Sequence, residues 1–361
     1  MNRSRRRMLL AALATWCGSG AEASPQANHA TADPARILRF PGDHGSHPGF
    51  RIEWWYITGW LHDSAKREFG VQITFFRAKP QLQAGNPSAF NPEHIIIAHA
   101  AVADPTQRRL LHTQRAARAV FGLAGAATED TKVWLDDWHL TRRGETYQAQ
   151  ISSSELALDL AFMPTQPLLL QGQNGYSRKG PGADAASHYY SSPHLSVSGT
   201  LRGGDSIKSV TGKAWLDHEW SSSFLPGDAE GWDWIGINLD DGGALMAFRM
   251  RSRKSSNPIW SAATLRDATG SSRTFGPGAV YFSALRSWQS PRTGTNYPVA
   301  FKVKVGTLEI VLDPFFDDQE NDTRRTTGAV YWEGAVTARN NDRIVGRGYL
   351  ELTGYGQPLA L

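Results

Sequence analysis

The chain of 361 residues has a single cysteine, Cys17, close to its start. The rest of the sequence therefore holds no disulfide, no thiol nucleophile and no thiolate metal site, and must be stabilised by its core alone. No second apolar stretch is long enough to cross a bilayer. No Gly-x-Ser-x-Gly elbow appears and no α/β pattern surrounds any serine, which argues against a serine hydrolase. A phosphate-cradling glycine loop and a dinucleotide fingerprint are both missing, so no cofactor is expected. Long amphipathic helical patterns are scarce.

What the N-terminus does hold is an export pattern. Arg3, Arg5, Arg6 and Arg7 make a basic start, residues 8–17 form a short apolar run, and Ala21-Glu22-Ala23 offers small residues for cleavage before Ser24. Residues 1–23 thus read as a signal peptide, and Ser4-Arg5-Arg6-Arg7-Met8-Leu9 fits a twin-arginine form loosely. The expected location is periplasmic or secreted, with membrane contact peripheral at most. The whole chain carries a net charge of +4, but removing the four Arg and one Glu of this segment leaves 34 Lys and Arg against 33 Asp and Glu. Near neutrality leaves no electrostatic case for a nucleic-acid partner. Residues 24–36 are small and polar and read as a disordered linker, with ordered sequence expected from Ile37.

Beyond that point strand signals dominate. Phe301-Lys302-Val303-Lys304-Val305 alternates strictly, Gly306 turns the chain, and Leu308-Glu309-Ile310-Val311-Leu312 returns. Residues 71–76, 95–103, 195–201, 234–239, 329–336 and 348–353 are similar short runs, many bounded by turn signals such as Asp241-Gly242-Gly243. Residues 115–123 fit one short helix, 172–187 a long surface loop, and 221–231 a second irregular stretch. The register of short strands predicts an all-β sandwich or barrel. A boundary is placed near Ser222, giving an N-terminal domain at 37–222 and a C-terminal domain at 223–361.

Two aromatic strands carry carboxylates: Glu53-Trp54-Trp55-Tyr56 and Trp215-Leu216-Asp217-His218-Glu219-Trp220. Acids among large aromatics are costly to bury, so each is either satisfied by hydrogen bonds or shifted in pKa for chemistry. Alternation puts Trp215, Asp217 and Glu219 on one face and Leu216, His218 and Trp220 on the other. It likewise pairs Glu53 with Trp55 and Trp54 with Tyr56. Paired in one barrel, such strands give a lumen of indoles and acids suited to a large apolar ligand. Asp217, Glu219 and His218 are the catalytic candidates, although His218 faces away from Asp217. His44-Gly45-Ser46-His47 beside Asp43 has a spacing found at zinc sites but lacks further ligands nearby, and reads as a loop packed at the barrel mouth. His94 and His99 are weaker still, so no metal is expected.

At these residues the sequence resembles the carotenoid 1,2-hydratase (hydroxyneurosporene synthase) and AttH-like family. The likeness is carried by Phe40-Pro41-Gly42-Asp43-His44, by Glu53-Trp54-Trp55-Tyr56-Ile57-Thr58-Gly59, and by Tyr189-Tyr190-Ser191 with Gly199. Gly212-Lys213-Ala214-Trp215-Leu216-Asp217-His218-Glu219-Trp220-Ser221, Gly231-Trp232-Asp233-Trp234-Ile235-Gly236 and Gly348-Tyr349-Leu350-Glu351-Leu352-Thr353-Gly354-Tyr355 continue it to the C-terminus. The resemblance implies two consecutive lipocalin-like (calycin) β-barrels and apolar, often isoprenoid-like ligands. Some members hydrate a carbon–carbon double bond, and related enzymes are hydratases or cyclases. The resemblance puts the family's motif aspartate at Asp217, as the acid that protonates the alkene, with Trp215, Trp55 or Tyr190 shielding the cation and Glu219 or Glu53 orienting water. Glu53, Trp54, Trp55, Tyr56, Tyr190, Trp215, Trp220, Trp232 and Trp234 are the ligand-binding candidates. The export signal makes the AttH-like side the better match. The first reading is an exported lipocalin-like protein binding a hydrophobic or lipid ligand, with an envelope transport system as a candidate partner. The alternative is a hydratase or cyclase, and a carbohydrate-active protein using Asp217 and Glu219 as an acid pair is a third.

Overall fold

The computed structural model describes residues 29–80, 88, 91–204, 206–223 and 225–356. The expected signal peptide, with Cys17, lies outside the described residues. Among the described residues, apart from one 3-10 turn at Gly42–His44, the regular elements are strands, all paired antiparallel.

The first sheet contains β1 (Ile52–Asp63), β2 (Glu68–Ala78), β3 (Ile95–Asp104), β4 (Arg109–Arg118), β5 (Ala124–Ala126), β6 (Lys132–Leu135) and β7 (Trp138–Arg143). It continues with β8 (Thr146–Ser152), β9 (Leu156–Met163), β10 (Leu169–Leu170), β11 (Tyr176–Arg178), β12 (Ala186–Gly203) and β13 (Ser206–Ser223). Its order is β4-β3-β2-β1-β13-β12-β9-β8-β7-β6-β5, with β10 and β11 flanking β12. The second sheet contains β14 (Ala229–Leu239), β15 (Ala244–Ser252), β16 (Trp260–Arg266), β17 (Ser272–Phe275), β18 (Val280–Gln289), β19 (Asn296–Val305), β20 (Leu308–Pro314), β21 (Glu320–Asp322), β22 (Val330–Asn340) and β23 (Arg343–Leu352). Its order is β17-β16-β15-β14-β23-β22-β20-β19-β18, with β21 on β22. Each sheet curls: β3 comes against β5 and β6, and β18 against β15 and β16. The result is all-β, as the strand pattern led one to expect, and forms two lipocalin-like barrels in succession, as the resemblance implied.

Each barrel interior is filled. Ile57, Ile73, Phe75, Trp138 and Leu160 pack the first, and Ile237, Phe301, Leu312 and Trp332 the second. A third apolar cluster, including Tyr56, Trp60, Trp215, Trp234, Phe248 and Tyr349, lies between the sheets. There Trp60 Nε1–H donates to the Gly348 carbonyl at 3.0 Å. Gly70 is required at the same seam, since a Cβ there would lie 2.5 Å from Tyr349 Oη and 2.9 Å from Ala335 Cβ.

Three local expectations are corrected. Residues 115–118 continue β4 rather than forming a helix; its ladder with β3 runs from Ile95–Arg118 to Asp104–Arg109. Long-range pairing outcompetes local propensity there, and the Arg-rich edge resists further pairing. The stretch 172–187 is not an open loop: Tyr176–Arg178 pairs with Ala186–His188, and Lys179 beyond it is buried. Residues 29–36 of the expected linker are held in place. The Ala30 amide donates to the Gly49 carbonyl at 2.9 Å, Ser222 Oγ–H donates to the Ala30 carbonyl at 2.6 Å, and the Asp33 amide donates to His188 Nε2 at 3.3 Å.

Candidate functional site

The register of β1 against β13 sets Tyr56 opposite Asp217 and Trp54 opposite Glu219, all on the outer face of the first sheet. The inner face receives Glu53, Trp55, His218 and Trp220. Because side chains alternate, the two aromatic–acid motifs are split cleanly between two environments.

The outer face meets the second sheet around a cavity of about 170 Å³. Its walls include Trp54, Tyr56, Phe76, Tyr189, Asp217 and Glu219 from the first sheet, and Trp232, Trp234, Phe248, Met250, Glu333 and Glu351 from the second. The cavity therefore lies in the seam, not in a barrel lumen. Both interiors are already occupied by their own side chains, which leaves the space between them as the place a guest can sit.

Asp217 is 3% exposed. Its Oδ1 accepts from Trp215 Nε1–H at 2.7 Å and from the Ser191 hydroxyl, which itself accepts from Gln171 Nε2–H at 2.7 Å. Among the described residues its Oδ2 accepts only from Tyr189 O–H, at 2.7 Å, and Tyr189 in turn accepts from Trp234 Nε1–H at 3.1 Å. Burial pushes the Asp217 carboxyl up to about 7, against the pull of these three donors and with some help from the charge of Glu219. All the partners are side chains. Two donors occupy Oδ1, so a proton on the carboxyl resides on Oδ2, facing a hydroxyl that can turn from donor to acceptor.

Glu219 has a different environment. Lys179 Nζ lies 2.7 Å from its Oε1, and Ser187 Oγ–H donates to the same oxygen. It is a carboxylate paired with an ammonium.

The second sheet supplies two acids that sequence reasoning missed. Glu333 and Glu351 are cross-strand partners on β22 and β23. Burial and the neighbouring Glu351 charge hold the Glu333 carboxyl well above the usual range. Burial also raises Glu351, although Trp232 Nε1–H donates to its Oε2 at 2.9 Å. Two carboxylates this close cannot both ionise cheaply, so the pair retains a proton. The Tyr56 and Tyr331 hydroxyls adjoin Glu333 and remain protonated donors, both raised by burial. The signal was present in Tyr331-Trp332-Glu333 and Leu350-Glu351-Leu352, where an acid interrupts an apolar strand as Glu53 does.

On the inner face the structure gathers His44, His47, Glu53, Tyr190 and His218 away from the cavity. His47 Nδ1 lies 2.7 Å from Glu53 Oε1, and His47 Nε2 lies 3.0 Å from Asp43 Oδ1. Both ring nitrogens face carboxylates, so His47 is an imidazolium; burial opposes this, but bonds to Asp43 and Glu53 raise its pKa. His218 Nε2–H donates to Glu53 Oε1 at 2.9 Å, Arg77 Nε–H donates to Oε2 at 2.8 Å, and Tyr190 O–H lies 3.1 Å from His218 Nδ1. Burial would raise Glu53, yet the His218 and His47 bonds hold it far below the carboxylate range. Trp55 and Trp220 stack on His218 and His47.

Donor atoms of His47, Glu53 and His218 lie within 4.8 Å of one another, a spacing a metal could use. In the structure these same atoms form hydrogen bonds, each ring nitrogen facing Glu53 donating to a carboxylate that only accepts. His99 stands apart, on the cavity wall; burial lowers it to about 3 and it bonds Tyr331 O at 3.1 Å through Nδ1. His94 Nδ1 lies 3.2 Å from Arg77 Nη1. Of the sequence-level candidates, Trp54, Tyr56, Trp232, Trp234, Asp217 and Glu219 line the cavity, and Trp215 supports it through Asp217. Glu53, Trp55, Tyr190, His218 and Trp220 do not reach it, because the strand period turns them inward.

Residues 31–355 match the family described as AttH-like. A crystal structure of an AttH-like protein from Nitrosomonas europaea is 49% identical, covers 91% of this chain and 100% of its own, and superposes with a TM-score of 0.86. Kievitone hydratase from Nectria haematococca is 13% identical over 91% of this chain and 97% of its own, with a TM-score of 0.69. CghA is 12% identical over 92% and 98%, with a TM-score of 0.50. At that distance the last two demonstrate a shared fold. No curated protein sequence matches. The chain belongs to the AttH-like family.

Proposed function

We propose that the protein protonates a carbon–carbon double bond of an apolar, isoprenoid-like substrate held between its two barrels, acting as a hydratase or cyclase. The observation that carries this reading is Asp217: a carboxyl raised to about 7 by burial, on the wall of an indole-lined cavity whose other sheet carries a pair of raised acids. An unactivated alkene offers no carbonyl to polarise and needs a proton donor that is still neutral near neutral pH. Hydration then runs as follows. The Asp217 proton passes to the less substituted alkene carbon, forming a C–H bond. The cation develops on the other carbon, where the faces of Trp54, Trp232 and Trp234 stabilise it. Water adds to that carbon and yields its proton to the ionised member of the Glu333–Glu351 pair, and the proton returns across the cavity to Asp217. In a cyclisation, a second double bond of the substrate takes the place of water, and a proton is lost to the same pair. The fold shared with kievitone hydratase agrees with this chemistry.

The basic and then apolar start supports export, so we place the substrate in the cell envelope or outside it. The predominantly apolar wall also favours a second reading, carriage of a hydrophobic ligand without chemistry. Solvent extraction of the purified protein and mass spectrometry separate the two. An unmodified guest, with no product on incubation with acyclic isoprenoid alkenes, favours carriage. A product heavier by one water, or an isomer with one more ring, favours catalysis. Asp217→Asn should abolish turnover and keep ligand binding; undiminished turnover in that variant would rule Asp217 out as the acid.

A further inference from the structure

Lys179 is the single lysine or arginine on the cavity wall among the described residues, and it is 4% exposed. It follows β11, and its amide donates to the Ala185 carbonyl at 2.7 Å, which closes the turn into β12 and fixes where the side chain starts. Its Nζ lies 2.7 Å from Glu219 Oε1, 4.8 Å from the Tyr189 ring centre and 4.2 Å from that of Phe248. An ammonium has three hydrogens. One is directed to Glu219, while the aromatic faces hold the cation without offering oxygen acceptors. Donor capacity therefore remains at a buried point of the same wall that carries Asp217.

We infer that Lys179 anchors the substrate by donating to a neutral oxygen acceptor (a carbonyl, ether, phenol or alcohol oxygen) carried some distance from the reacting double bond. This rests on the cavity reading above and narrows its substrate class to oxygenated unsaturated molecules. Asp217 and Glu219 are two residues apart on one face, on the order of 7 Å along the strand. The oxygen held beside Glu219 is thus separated from the protonated carbon by a comparable span. The acceptor is neutral because the Lys179–Glu219 pair already balances its own charge. A carboxylate ligand would add an uncompensated anion beside Asp217, Glu333 and Glu351, and its binding would worsen as those acids ionise.

The test uses one ten-carbon skeleton in three forms: myrcene, geranyl methyl ether and geranate, titrated into the full-length protein while the summed emission of its 13 tryptophans, Trp54, Trp232 and Trp234 of the wall among them, is followed. The ether should bind about tenfold or more tighter than the hydrocarbon despite being the more water-soluble, and geranate most weakly. In Lys179→Met the ether should lose that advantage over myrcene. Because Lys179→Met orphans Glu219, Lys179→Met with Glu219→Gln is measured alongside it, and the same loss is expected. Equal binding of ether and hydrocarbon to the wild type, or an ether preference that survives both variants, overturns the anchor and leaves the acid chemistry of Asp217 standing. Failure of all three ligands to bind overturns the cavity reading together with the anchor.

Discussion

Replacing the proposed acid should make the protein more stable, and only above a particular pH. The Asp217 carboxyl moves from 3.8 to about 7 on folding, chiefly because it is buried. At 1.36 kcal/mol per tenfold change in proton affinity, that rise corresponds to about 4 kcal/mol. At 3% exposure there is little solvent screening to discount it, although relaxation of the neighbouring donors makes this an upper figure. The direction follows from proton binding. Between pH 3.8 and about 7 the folded chain retains a proton that the unfolded chain has released, so wild-type stability falls as pH rises through that window. Below it the aspartate costs nothing; above it the whole penalty applies. Asp217→Asn removes the ionisation and keeps a side chain of the same shape among Tyr189, Ser191 and Trp215. Its stability relative to wild type should therefore rise from near zero at about pH 4 to a gain of about 2–4 kcal/mol at about pH 8. Urea unfolding followed by tryptophan emission across this range gives the difference directly, with a smaller contribution of the same sign from Glu351, whose carboxyl the Asp217 charge also raises. A difference that stays flat with pH would refute the reasoning, since it would make Asp217 an ordinary ionised acceptor.

Two further outcomes follow from the geometry. Glu53→Leu leaves the Arg77 and His47 cations buried without the carboxylate that both bond, and should cost about 3–5 kcal/mol in urea unfolding; a change under about 1 kcal/mol would show that the inner cluster is not a mutually dependent unit. Gly70→Ala drives a methyl group into Tyr349 Oη and Ala335 at the seam, so it should destabilise by about 1–3 kcal/mol and weaken binding of a hydrophobic probe, whereas binding at wild-type strength would mean the seam can open without cost to the cavity.

Alternation made much of this legible. It separated Trp215, Asp217 and Glu219 from Leu216, His218 and Trp220, and set Trp54 with Tyr56, each of which the register bears out. Alternation assigns a side of a strand, however, and says nothing about what covers that side. Here both faces of β1 and β13 are buried, one by a barrel interior and one by the other sheet, so hydrophobicity did not distinguish them. Trp55 and Trp220 looked as much like ligand contacts as Trp54 does. Glu333 and Glu351 were missed because their meaning depends on each other and on Asp217, at separations only the tertiary fold closes. Lys179 was hidden for a similar reason: its neighbours are glycine, proline and polar residues, and its burial comes from Phe248 and Tyr189. The helix expected at 115–123 failed because an edge strand with few large apolar residues gives little period-2 signal.

The chamber's acids come from opposite shells, Asp217 from one and Glu333 with Glu351 from the other. Cut at the crossover between β13 and β14, neither shell would carry the whole wall. The proposed proton donor would end up on one fragment and the proposed proton acceptor on its companion, so the proposed chemistry belongs to the join and would return only on reassembly.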